Sequence, residues 1–334
     1  MSAAPLRADH RPALLDRALD NAQVLSIAAF FLICAVAFAS LSPYFLAPGN
    51  LLNLLRQSAP MLIVAVGMTF VITTGAIDLS VGSTVALTNA LAAILLAAGW
   101  PWPAVAVSML VLGAVVGAVQ GWFIAYEAVP SFIVTLAGLS MLRGLALLLT
   151  EGFSVPIGDV PGFLALGRGW VAGLPVPAII AVLAAVAGHV TLEQTRYGRQ
   201  ITAVGSNAEA ARRVGMPARR VGASAFVLTG VAAAAAGLII AARLGSGSSN
   251  AAVGFELDVI AAVVLGGTSL FGGSGTMLGT VLGALTIAVI GNGLILVHTS
   301  PFLVQIVTGA IILAAIWLNT RVFARLGQRG TRHG

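Results

Sequence analysis

Lysine is absent from this sequence of 334 residues: all 17 basic residues are arginines. Its absence excludes a G-x-x-x-x-G-K-[ST] phosphate loop, whose lysine reaches the nucleotide phosphates, and it excludes a Schiff-base lysine. If ATP drives this protein, another chain must bind it. Cysteine is almost missing too. The single Cys34 lies inside an apolar run and offers no disulfide or metal framework. The four histidines, His10, His189, His298 and His333, have no ligand-like neighbours, so neither a metal cluster nor a nucleophile–base pair is legible and no cofactor is expected. Charge of either sign is scarce, 8% of residues against roughly 25% in an average soluble domain.

Hydrocarbon fills the rest. Hydrophobic residues make up 59% of the chain and the mean hydropathy is +1.02. A spanning helix needs about 20 apolar residues, so the length predicts an all-α polytopic membrane protein of about ten transmembrane helices. The apolar runs place them near residues 24–41, 51–74, 80–98, 104–125, 132–150, 175–190, 221–242, 257–265, 276–296 and 302–318. Residues 1–23 form a polar lead, 24–318 one transmembrane domain, and 319–334 a basic tail. In the fourth run Gly113, Gly117 and Gly121 recur every four residues, and the seventh holds five alanines, Ala232–Ala236; both patterns favour close helix packing.

Arginine distribution orients the chain. With the N-terminus inside, thirteen arginines fall in the lead, the 191–220 loop and the tail. Only Arg56, Arg168 and Arg243 fall outside, and Arg143 lies within the fifth run. Such a bias follows the positive-inside rule, supports an even number of spans and puts both termini in the cytoplasm. It also accounts for a pI near 10.9 without nucleic acid.

Two stretches interrupt the apolar pattern, one in each half. The first, GMTFVITTGAIDLSVGS (Gly67–Ser83), breaks at Thr73-Thr74-Gly75 and places Asp78 between two apolar runs. An ionisable group near or inside the bilayer costs roughly 2.5–3.5 kcal/mol on insertion scales, which suggests a functional role. Alternatively Asp78 caps the following helix, and the two roles are compatible. The second interruption surrounds a run, 257–265, that is too short to span, carries Asp258, and leads into LGGTSLFGGSG (Leu265–Gly275). Interrupted helices at corresponding places in two related halves point to a substrate path. Gly75, Asp78, Ser80, Gly82 and Ser83 would shape that path from one half, and Gly266, Gly267 and Thr268 from the other. Asn89 and other hydroxyl and amide groups inside the spans suit a neutral polyhydroxylated solute, although each could equally satisfy a neighbouring helix.

The 191–220 loop holds VGSNAEAARRVGMP (Val204–Pro217), with full helix punctuation. Ser206 and Glu209 fit a capping box, Glu209 precedes Arg212 and Arg213 at pairing distances, and Gly215 and Pro217 stop the helix. About two turns cannot persist alone in water. Asn207 to Gly215, with Ala210 on a small-residue face, therefore needs something to pack against: a partner protein's groove or the protein's own helix ends.

GMTFVITTGAIDLSVGS, NAEAARRVGM and ELDVIAAVVLGGTSLFGGSGTMLGTVLGALTIAVIGNGL (Glu256–Leu294) together closely resemble the permease subunits of bacterial ABC sugar importers, nearest the ribose-type branch. The resemblance runs from about Leu51 to Leu318. It implies a ten-span permease in the bacterial inner membrane, working with a second permease copy or paralogue as a dimer. Its further implied partners are two cytoplasmic ATP-binding subunits or one tandem ATPase, and a periplasmic sugar-binding protein. Ser206, Asn207, Glu209, Ala210, Arg212, Arg213 and Gly215 would then belong to the coupling helix gripped by the ATPase. Gly75-Ala76-Ile77 departs slightly from the family's usual Ser-Gly-Ile, and the motifs do not carry substrate identity. Rival readings are a related permease for branched-chain amino acids or nucleosides, an ion-coupled transporter using Asp78 or Asp258, and an intramembrane enzyme, which the histidine pattern disfavours.

Overall fold

A computed structural model describes residues 13–300 and, beyond them, residues 303, 304, 306–311, 313 and 314. The described residues form twelve α-helices, α1 to α12, and four strands of two residues each. Helix α1 (Ala13–Leu41) begins within the polar lead. It is followed by α2 (Pro48–Thr73), α3 (Val81–Ala97), α4 (Trp102–Ala125) and α5 (Ser131–Thr150). Prolines open α2 and α4, where a missing N–H leaves no bond unmade. Next come α6 (Pro161–Arg168) and α7 (Val176–His189), which runs into a π-helical turn at Val190–Gln194. Helices α8 (Arg196–Ser206) and α9 (Ala208–Arg213) form the basic loop, and α10 (Ala218–Leu244), α11 (Phe255–Leu265) and α12 (Met277–Leu296) complete the set.

Seven of these are long and apolar enough to cross a membrane; α3 is a shorter apolar helix. The eleven-residue α11 is about 16 Å long, half a bilayer core. The expected last span, 302–318, lies partly outside the described residues, and those described between 303 and 314 are helical.

Helices α2 and α10 are the buried centre, whereas α1, α4, α5 and α7 expose most of their apolar surface to whatever surrounds the chain. The glycine ladder of α4 is seated on α10. A side chain at Gly113, Gly117 or Gly121 would strike the backbone of Gly230, Phe226 or Ala223, so these glycines serve close packing, as their spacing predicts. Helices α2 and α12 are joined by neutral polar pairs: Thr69 with Thr280 at 2.7 Å, and the Asn50 and Asn292 amides reciprocally at 2.9 and 3.0 Å. The 151–175 segment carries α6 and two small antiparallel ribbons, Val155–Pro156 with Ser246–Gly247 and Trp170–Val171 with Leu174–Pro175.

Candidate functional site

The first break is knit by side chains. After α2, Gly75 takes a positive φ of 82° and its N–H bonds the Ile72 carbonyl at 2.9 Å. Asp78 is 2% exposed. Its Oδ1 accepts from the Ser80 N–H at 2.8 Å and the Ser80 hydroxyl at 2.7 Å. Ser80 in turn accepts from Gln120 Nε2 of α4 at 2.8 Å. From α5, Ser131 accepts the Ile77 N–H at 3.3 Å and the Thr135 hydroxyl donates to the Ile77 carbonyl at 3.3 Å. Asp78 therefore does not bond the free N–H groups of α3 itself; it closes a turn just ahead of that helix, whose N-cap Ser80 makes no side-chain cap. The Ser83 hydroxyl, fully buried, donates to the Ser80 carbonyl at 2.9 Å.

The second break is knit mainly by backbone, with one side-chain bond from the Phe271 N–H to the Ser269 hydroxyl at 3.3 Å. Gly267 has a φ of 91°, and Gly266 lies against the backbone of Gly279 with no room for a side chain. The Ser269 N–H bonds the Ser274 carbonyl at 3.0 Å, and the Gly272 N–H bonds the Ser269 carbonyl at 3.0 Å. Thr268 is buried, with a hydroxyl that finds no partner among the described residues. Phe271, at the tip, is 95% exposed.

The two breaks meet. The Gly273 N–H donates to the Thr73 carbonyl at 2.9 Å, and Gly75 faces the Phe271 carbonyl. Against this junction sits the end of α8. A side chain on Gly205 would strike the Thr73 carbonyl, and one on Gly273 would lie 2.6 Å from the Ser206 hydroxyl. Both broken segments thus rest on the two residues that lead through Asn207 into α9.

Helix α9 is six residues long, shorter than its punctuation suggested, and a capping box led by Ser206 does not form. Ser206 is the last residue of α8, its hydroxyl donating to the Thr202 carbonyl at 2.9 Å. The cap is Asn207, whose Oδ1 accepts from the Ala210 N–H at 2.9 Å. A serine already inside a helix bonds back one turn, which removes it from capping the next. Glu209 pairs as expected with Arg212 at 3.0 Å and Arg213 at 3.3 Å. Ala211 is buried, whereas Ala208, Ala210 and Val214 are exposed. Beside α9 a cavity of about 360 Å³ is lined by Gly75, Pro130, Ser131, Ala208, Arg212 and Arg219, joining the first break to the basic loop.

Asn89 and Gly82 fall elsewhere. Asn89 is fully buried: Oδ1 accepts from the Ser248 N–H at 2.6 Å and Nδ2 donates to the Gly237 carbonyl at 3.3 Å. At Gly82 the missing side chain admits the Glu256 carboxylate and the Ala252 carbonyl. From Asn89 to Gly82 is seven residues of α3, about 10 Å. The irregular backbone between α10 and α11 therefore descends alongside α3 before α11 begins. Such backbone is tolerated at membrane depth only when protein or a wet cavity surrounds it. Arg143 of α5 holds it in place, donating through Nη1 to the Ser249 and Ala251 carbonyls at 2.6 and 2.7 Å and through Nη2 to Ala252 at 3.2 Å. In the sequence Arg143 stands out only as a lone charge within a span, a signal that marks the residue without naming its partners.

Comparison with known proteins sets this geometry in a family. Residues 50–316 match the family described as the branched-chain amino acid transport system / permease component. The chain belongs to that family. It is 43% identical over 294 residues to the ribose import permease protein RbsC of Bacillus subtilis, covering 86% of this chain and 90% of that protein. With the ribose import permease protein RbsC of Haemophilus influenzae it shares 40% identity over 290 residues, 85% and 90% of the two chains. The xylose transport system permease protein XylH of Escherichia coli is 36% identical over 337 residues, covering 83% and 86%. No solved structure is a significant match. The chain is thus a multi-pass membrane permease component, a transport subunit rather than an enzyme.

Proposed function

We propose that this chain is the membrane-spanning subunit of an ATP-driven importer that carries a monosaccharide across the bacterial inner membrane. Both termini face the cytoplasm, ten spans cross the bilayer, and two permease copies or paralogues pair. Cytoplasmic ATP-binding subunits grip Asn207–Gly215, and a periplasmic binding protein delivers the sugar. Ribose- and xylose-named relatives at 36–43% identity favour a pentose-like solute.

The observation that carries this reading is the seating of α9. An exposed helix too short to stand alone leads directly from Gly205 and Ser206, which press on the junction of both breaks. A push or pull on α9 therefore reaches the ends of α8 and α2 and the turn that leads into α12. In alternating access the ATPase moves α9 as a lever, and the break at Gly266–Gly275 shifts against the one at Gly75–Ser83 to change which side is open.

The test is co-purification from detergent-solubilised membranes, comparing wild type with Glu209→Arg. The substitution removes both ion pairs of α9 and reverses a charge on its exposed face, so the chain should insert normally while ATPase recovery and sugar uptake drop at least about tenfold. Normal recovery and uptake would overturn the lever. The family description favours a second solute class, branched-chain amino acids. Uptake of labelled leucine but not ribose or xylose in cells carrying the intact system would establish it instead.

A further inference from the structure

Only three arginines fall outside under the proposed orientation: Arg56, Arg168 and Arg243. They are far apart in sequence, yet the fold gathers them. Arg168 of α6 donates through Nε to the Arg243 carbonyl at 2.9 Å. Arg56 of α2 sits close enough to Arg243 of α10 for their like charges to oppose each other. Arg56 has one neutral partner, Asn53 Oδ1, at 2.9 Å from its Nη2. Its Nε, and Nη1 of Arg243, are buried with no hydrogen-bond partner. Among the described residues, no carboxylate pairs with any of the three; the ion pairs are those of Glu193 and Glu209. Arg56 and Arg243 are partly buried and Arg168 is exposed; a guanidinium drawn partly out of water without a counter-charge is disfavoured unless something supplies one.

Depth identifies the supplier. Arg56 lies seventeen residues before Thr73 on α2, about 25 Å above the junction of the breaks. Against a hydrocarbon core of about 30 Å, that is the outer boundary, where lipid phosphates lie. Beginning at the neighbouring Leu55 and at Leu174, an apolar groove of about 340 Å³ runs down the same flank past Leu62, Val182 and Leu285. An arginine cluster at the boundary with a dry groove beneath it matches an anionic lipid in both its parts. A carboxylate from a soluble partner would leave the groove unexplained.

We propose that Arg56, Arg168 and Arg243 bind the phosphate of an anionic phospholipid of the outer leaflet, with an acyl chain in the Leu55–Leu285 groove. The proposal rests on the orientation above for the word "outer" and is independent of the transported solute.

The test is native mass spectrometry of the detergent-purified full chain, titrated with phosphatidylglycerol or phosphatidylcholine. Wild type should retain phosphatidylglycerol at least about tenfold more tightly than phosphatidylcholine. Arg56→Gln/Arg243→Gln should erase the preference, Arg168→Gln should reduce it, and Arg321→Gln/Arg325→Gln in the tail should leave it intact. If the double variant does not fold, Arg243→Gln alone serves in its place. A preference that persists in the cluster variants, or that disappears equally in the tail variant, overturns the site. Full displacement of the lipid by millimolar inorganic phosphate would make it a free-phosphate site, also against the proposal. Unchanged lipid binding with loss of the sugar-binding protein alone would assign the cluster to that partner and overturn the lipid. Sugar uptake enters none of these readouts, so a wrong solute does not affect them.

Discussion

The two breaks do the same topological job with different materials. At Gly75–Ser80 the turn is fixed by Asp78, Ser80, Gln120, Ser131 and Thr135, drawn from three separate segments. At Gly266–Gly275 the turn is fixed mainly by backbone bonds and glycines, with one local side-chain bond from the Phe271 N–H to the Ser269 hydroxyl, Thr268 unpaired among the described residues and Phe271 exposed. A side-chain network in a low-dielectric interior specifies one arrangement. A glycine-rich turn closed on itself accommodates more than one. The first break therefore reads as a fixed abutment and the second as the part that moves against it, with Gly205 and Ser206 wedged where they join.

The largest effect is expected at that wedge. Gly205→Val places a branched side chain against the Thr73 carbonyl and the Gly273 N–H, both backbone groups that cannot swing aside. Overpacking against backbone should cost about 3 kcal/mol, the top of the usual range. Thermal unfolding in detergent should register it, with uptake reduced at least about tenfold. Near-normal stability and uptake would mean that the breaks are not clamped by α8. Next in size is Arg143→Met, which keeps the aliphatic stem and strands three carbonyls of the segment leading into α11. A charge-assisted bond contributes about 1.5–3 kcal/mol. A loss of that order, with proteolysis appearing between residues 248 and 254, would show that the second half depends on this one cation.

How much of this was legible beforehand depended on whether the cause was local. For α2 to α5, α7 and α10 to α12 the apolar runs gave the helix bounds to within a few residues, because burial in lipid selects composition along one continuous segment; α1 instead starts eleven residues ahead of its run, in the polar lead. Both breaks were visible for the same reason: Gly75 and the GGTSLFGGSG run interrupt that composition in place. Their meeting was not visible, since the Gly273–Thr73 bond joins residues two hundred positions apart through polypeptide groups common to every residue. The cap of α9 was misplaced by one residue because α8 runs up to Ser206, and a capping box presumes a loop before the helix. The partners of Arg143 are carbonyls, which carry no letter in a sequence.

Asp78 offers a finer comparison within the first break. Asp78→Ala removes the acceptor for two donors of Ser80 and should cost about 1–3 kcal/mol. Asp78→Asn keeps an oxygen for the same two bonds and should cost less than about 1 kcal/mol, with uptake within about threefold of wild type. If instead the asparagine variant is fully inactive while melting normally, the carboxylate acts by carrying charge. The turn-closing role would then be secondary, and an ion-coupled mechanism would gain its first support.

The smallest effect on the isolated chain is expected at Phe271, and its smallness is informative. The ring is 95% exposed, while the backbone beside it holds the junction with Gly75. Phe271→Ala leaves that backbone untouched and should shift the unfolding free energy by no more than about 0.5 kcal/mol. A loss of uptake in that variant could not come from weakening this chain, so it would report a contact beyond it: the solute, the proposed ATPase or a second permease copy. A stability loss above about 1 kcal/mol would instead show that the second break is also knit by side chains, and the contrast between a fixed and a moving break would fail.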